Sequence, residues 1–182
     1  ITAVGNLNVA NVDFGDGGDS AGFVSGATLT IPNPTTAAGN LRIEGASITD
    51  GDSTLVLNAA NLMVNNTGAG ALTLTTTITS GGSLDASSGG DLTVNNAAGG
   101  ALVLANLGGT ADAVATTGLF NLTNTSGAVT DSAKVGVGGT ATFNVGAGNN
   151  IVLDTVTNDF SGTVIITNAN IATIDDANAI TF

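Results

Sequence analysis

The chain has 182 residues, with 2 Lys plus Arg against 14 Asp plus Glu for a formal net charge of −12, and no Cys, His, Trp or Tyr. Arg42 and Lys134 are too few cations to neutralise the phosphates of a nucleic acid or the surface of an anionic bilayer. The missing side chains remove thiolate nucleophiles, imidazole bases, Cys/His zinc sites and indole platforms.

Hydrophobic residues make up 42% and charged residues 9%, a balance that buries a core rather than staying disordered. Glu44 is the only glutamate and glutamine is absent, so the polar residues of a helical surface are missing. Abundant Thr, Val, Asn, Asp and Gly predict an all-β chain instead. No apolar run approaches ~18 residues, so no membrane span is expected. The chain starts at Ile1 rather than Met, which is read as a processed or excised piece whose secretion signal has gone.

Along the chain, apolar residues two apart mark short strands. They are Leu7 and Val9, Leu29 and Ile31, Leu41 and Ile43, Leu55 and Leu57, Leu62 and Val64, then Leu72 and Leu74. Further on come Leu92 and Val94, Leu102 and Leu104, Phe120 and Leu122, Val135 and Val137, and Phe143 and Val145. Ile151 and Leu153, Val164 and Ile166, and Ile180 and Phe182 complete the series. Turn clusters separate them, including Asp16 to Asp19, Ser80 to Ser83, Ser88 to Asp91 and Gly146 to Asn150.

Residues 61–74 align with 91–104 at an offset of 30, with 8 identities in 14 positions, where roughly one or two are expected by chance. Such self-similarity predicts stacked coils, because one repeat cannot bury its own apolar face. The expected fold is a right-handed parallel β-helix, a β-solenoid of stacked coils, as a single segment over residues 1–182. Three strands per coil at about 20 to 30 residues give roughly six to nine coils and a rod about 30 to 45 Å long. If the offset is one coil, Asn65 stacks under Asn95 and Asn66 near Asn96 as amide ladders, and Leu72 and Leu102 take equivalent places in the interior.

The stretches Gly118-Leu119-Phe120-Asn121-Leu122-Thr123-Asn124, Gly139-Thr140-Ala141-Thr142-Phe143 and Asn158-Asp159-Phe160-Ser161-Gly162-Thr163-Val164 resemble filamentous-haemagglutinin-like exoproteins. They are also similar to repetitive autotransporter passengers. That resemblance implies a secreted Gram-negative surface protein, a long right-handed β-helix serving as an adhesin or its shaft. No integrin-type Arg-Gly-Asp is present.

Candidate chemistry is sparse. Asp175-Asp176 is the only adjacent acidic pair, set in a turn-like sequence without the basic grip of an acidic-sugar enzyme. Asp13, Asp16 and Asp19 form an acidic Gly-rich loop that could wrap calcium, and Asp50-Gly51-Asp52 is a shorter version. Thr28 and Thr30, or Thr73, Thr75, Thr77 and Thr79, could order water on a flat face if stacked in register. Asn65, Asn121 and Asn124 head formal glycosylation sequons. Phe120, Phe143, Phe160 and Phe182 are expected in the core.

The expectation is therefore a structural extracellular fibre or adhesin shaft with no catalytic, cofactor or metal site. It joins end to end with copies of itself or continues in a longer chain. The alternative is a β-helix that binds or degrades polysaccharide.

Overall fold

The computed structural model describes residues 1–8, 21–32, 34–49, 54–96, 100–108 and 111–182. Among them every element is a strand. The stack opens with β1 (Thr2–Ala3) and β2 (Leu7–Asn8). A three-sided coil follows, β3 (Ala21–Ser25), β4 (Thr28–Thr30) and β5 (Thr35–Thr36), repeated by β6 (Asn40–Gly45), β7 (Ser47–Thr49) and β8 (Leu55–Ala59). Two coils consist of longer strands, β9 (Asn61–Asn66) with β10 (Leu72–Ile78), then β11 (Gly82–Ser88) with β12 (Leu92–Asn96). Three-strand coils return with β13 (Leu102–Leu104), β14 (Val114–Thr116) and β15 (Phe120–Thr123), then β16 (Val129–Asp131), β17 (Val135–Val137) and β18 (Ala141–Asn144). Finally come β19 (Asn150–Leu153), β20 (Asp159–Phe160) and β21 (Val164–Asn168), with β22 (Ile171–Ile174) beyond them.

Each strand pairs in parallel with its counterpart one coil away, in sheets of twelve, seven and three strands. Leu41 lies under Leu62, Leu62 under Leu84 and Leu84 under Leu104, steps of 21, 22 and 20 residues. The nine-strand path from β1 to β22 rises about 38 Å at ~4.8 Å per step. This is a parallel β-solenoid.

Alternation along these strands turns every second side chain inward, and the inward rows form one core through the whole stack. Phe23, Phe120, Phe143, Leu62, Leu84 and Leu92 are fully buried, each contributing about 1.5–3 kcal/mol of transfer free energy. Phe143 packs edge-on between Phe120, 5.7 Å away, and Phe160, 6.3 Å away. The coils close tightly at their corners. A Cβ at Gly127 would stand inside the backbone of Gly100 and Ala101 in the neighbouring coil, so only glycine lets these coils approach.

Two expectations are corrected. The offset of 30 is one and a half coils rather than one: Leu62 belongs to the twelve-stranded sheet and stacks on Leu84, whereas Leu92 belongs to the seven-stranded sheet and stacks on Leu72. Leu72 and Leu102 share the interior from opposite sheets, and Asn65 faces Ser87 rather than Asn95. The repeat is real, but it maps one side of a coil onto another, because both sides obey the same inward alternation. The second correction concerns the last pair, Ile180 and Phe182. It forms only a single bridge, Thr163 to Thr181, and Phe182 is 74% exposed rather than in the core.

Candidate functional site

The coil containing β13 and β14 departs from its neighbours. Leu84 and Ala86 of β11 are two residues apart, yet their partners Leu104 and Val114 are ten apart. Residues 105–108 leave the sheet as a strap over the outer face of the earlier coils. Leu107 N–H donates to Asp85 Oδ2 at 2.7 Å, and Arg42 Nη1 donates to Gly108 O at 3.3 Å. Arg42 also pairs with Glu44, so the only Arg and the only Glu of the chain neutralise one another on β6. Under the strap, Met63 and Asp85 point outward by alternation but are only 3% and 1% exposed. A pocket of about 250 Å³ between Asn40, Asn61, Arg42, Met63 and Leu107 remains beside it.

Beyond the strap the same sheet carries a longer cleft of about 400 Å³. One wall is a single outward row, Asn65, Ser87, Ala115, Gly136 and Asp159, in register across five coils. Past the corner, Thr67, Gly89, Thr117, Gly138 and Ser161 line the other side. The floor is open because the middle of the row is small, and a Cβ on Gly136 would already meet Asp112 Oδ2 at 3.4 Å and Lys134 Cε at 3.5 Å. Lys134 Nζ lies 3.6 Å from Asp159 Oδ2, while Asn178 Nδ2 donates to Asp159 Oδ1 at 3.2 Å. Ser87 Oγ donates to Asn65 Oδ1 at 2.6 Å. The cleft thus offers amide, hydroxyl and carboxylate groups at coil spacing, with two acids and one cation at one end.

Sequence reasoning missed this row. Its signal was present in Val135-Gly136-Val137, where a glycine interrupts an apolar pair, the usual mark of a close approach on a strand.

Amide ladders do form, one coil apart and elsewhere than expected. Asn96 Nδ2 donates to Asn124 Oδ1 at 2.8 Å, and Asn96 Oδ1 accepts from Thr76 Oγ1 at 3.1 Å and from Ile78 N–H at 2.9 Å. Asn124 Nδ2 donates to Gly100 O and Gly127 O, both at 2.9 Å. Asn61 Nδ2 donates to Asn40 Oδ1 at 2.8 Å, and Asn170 Nδ2 to Asn150 Oδ1 at 3.0 Å. Asn158, fully buried, accepts from Val135 N–H at 2.8 Å and donates to Asp131 Oδ2 at 2.6 Å. These amides tie one coil to the next where strand pairing stops.

The remaining candidates separate accordingly. Asp176 Oδ1 accepts Phe160 N–H at 3.1 Å, which makes it a coil-to-coil cap, and its neighbour Asp175 is exposed. Asp13, Asp16, Asp19, Asp50 and Asp52 lie outside the described residues; among the described ones no group of three or more His, Cys, Asp or Glu could hold a metal. Asn124 is fully buried and spent in the ladder, so its sequon is not an accessible acceptor. Thr73 and Thr75 project beside Thr93 and Asn95, which continue to Asn121 and Thr123 and then Thr142 and Asn144. The rows are in register, but asparagine interrupts both, and Thr79 instead bonds Ala60 O. Thr28 and Thr30 stack on Ser47 and Thr49 in the three-stranded sheet. No charged residue occurs in any strand of the seven-stranded sheet.

Geometry and sequence together define a repeat protein of the parallel β-solenoid class. Residues 90–167, a little under half of the chain, match a family described as repeats of unknown function (DUF5649). That segment runs from the turn before β12 into β21 and includes the strap coil. No curated protein and no solved structure matches the chain.

Proposed function

We propose that this chain is a non-catalytic shaft segment of an extracellular bacterial fibre or adhesin, whose coils stack onto further coils of the same chain or of an identical neighbour. The observation that carries the reading is the terminal coil. β22 pairs with β19 on one side and with no described strand on the other, and Ile171 is 57% exposed at that edge. Ile166, Ile174 and Ile180 pack against the core from there and are only partly buried. An in-register strand edge over an uncovered apolar interior is a template for another coil. The surface location rests on the similarity to filamentous-haemagglutinin-like and autotransporter stretches. A chain without cysteine also suits export through an oxidising compartment.

Sedimentation velocity and electron microscopy of the purified chain test the stacking. End-to-end oligomers that grow with concentration, and dissolve in Ile171→Lys, are expected. A wild-type chain that stays monomeric at high concentration removes the neighbour version. A longer native chain that places a different fold directly after residue 182 removes the continuation version. The non-catalytic part fails if the protein depolymerises a polysaccharide and Asp176→Asn abolishes that activity.

A further inference from the structure

We propose that the cleft beside Gly136 binds a linear neutral glycan of hexose or N-acetylhexosamine units, laid along the rod axis. Its volume of about 400 Å³ falls in the range of small-molecule sites. The row from Asn65 to Asp159 spans five coils, about 19 Å at ~4.8 Å per step. That step is close to the length of one sugar in an extended chain, so successive units meet successive coils, each with a different side chain in the row.

The lining chooses the ligand class. The strands under the cleft already exchange backbone hydrogen bonds with both neighbouring coils, so a peptide cannot add as a further strand. The cleft presents the Asn65 amide nitrogen, the Ser161 hydroxyl and the Asp112 and Asp159 carboxylates, groups that exchange hydrogen bonds with sugar hydroxyls, while the buried Ser87 hydroxyl is held by Asn65. Two carboxylates against Lys134, on a chain of net charge −12, repel sulfated or uronate polymers. No Phe lines the cleft and the chain has neither Trp nor Tyr, so no ring platform adds to the binding. The expected dissociation constant for a short oligosaccharide is about 1 mM, which a long polymer engaging many rods would tighten by avidity.

This binding does not depend on end-to-end stacking, and an Ile171→Lys monomer serves as the test protein. Linear gluco-, manno- and chito-oligosaccharides are titrated by saturation-transfer NMR and by amide shift mapping, with an unrelated extended peptide and heparin alongside. Saturable binding of one neutral series is expected, with shifts concentrated at Ala115, Gly136 and Gly138. Ala115→Leu, at an outward position in the middle of the row, should weaken it at least about tenfold. Thr123→Leu, outward on the seven-stranded sheet, should leave it unchanged. Circular dichroism establishes that each variant is folded, and Asn65→Asp with Ser87→Ala replaces Ala115→Leu if that one is not. Binding by no neutral series, binding indifferent to the cleft variants, or saturable binding of the peptide or heparin at the cleft instead would overturn the proposal.

Discussion

Replacing Asn124 by alanine tests whether buried amides hold the coils together. The side chain is fully buried, its oxygen accepts from Asn96 at 2.8 Å, and its nitrogen donates to the carbonyls of Gly100 and Gly127. Asn124→Ala removes these three bonds and a longer one from Nδ2 to Ala128 O at 3.5 Å, and adds no polar replacement. The Asn96 donor and the Gly127 carbonyl are then left in a dry interior, and each such orphan costs about 1–3 kcal/mol. Allowing for partial relaxation and water at the less buried Gly100 carbonyl, the loss should be about 3–5 kcal/mol, a large share of a typical domain's ~5–15 kcal/mol. With no Trp or Tyr, intrinsic fluorescence cannot follow unfolding, so the assay is urea denaturation by far-ultraviolet circular dichroism. The exposed Asn168→Ala is the control, expected within about 0.5 kcal/mol of wild type. The double change Asn96→Leu with Asn124→Leu should cost less than the sum of the two single changes, since neither leaves the other's partner stranded. If Asn124→Ala is as mild as Asn168→Ala, the amide ladder is decoration and the reasoning fails.

Four further outcomes follow from the same geometry. Phe143→Ala should cost about 3–5 kcal/mol, because it empties the centre of the edge-on Phe120, Phe143 and Phe160 stack; a loss under about 1 kcal/mol in the same urea assay would mean the rings are not packed as described. Gly127→Ala should prevent stable stacking of the C-terminal coils, while Gly148→Ala, with open space around its Cβ, should be neutral, as read by hydrogen exchange. Peroxide should oxidise Met63 slowly in the native chain and markedly faster in Leu107→Ser, since Leu107 and the strap cover it; equal rates by mass spectrometry would contradict that cover. Trypsin should cut after Lys134, in the turn between β16 and β17, well before it cuts after Arg42, which lies in mid-strand and is held by Glu44 and Gly108.

Much of the fold was legible because a half-buried strand writes itself as alternation. Pairs such as Leu41 and Ile43, or Phe120 and Leu122, fall inside strands and face inward. Strands with small inward residues were silent: β11 carries Ala86 and Ser88 there, and β14 offers only Val114 as a large apolar residue. Coil steps of 20 to 28 residues fall in the expected range, but the offset of 30 passed for one coil because two sides of a coil share the same chemistry, so identity between 61–74 and 91–104 could not say which side lay over which. The cleft was less legible than the core. Its row draws one residue from each of five coils, and neighbours in space are about twenty residues apart in sequence; only the registration of coils brings Asn65, Ser87 and Gly136 together. The strap was invisible for a related reason, since nothing local distinguishes a loop that folds back over Met63 from one that does not.

The strap also shows where this architecture accepts foreign sequence. Eight additional residues enter between Leu104 and Val114, yet the strands on both sides return to the register of the coils before and after. Lengthening such an excursion further adds little to its closure entropy, since each doubling costs only about 0.6 kcal/mol. An epitope or a whole small domain spliced there would be displayed sideways from the rod at a fixed height, leaving the scaffold's own geometry untouched.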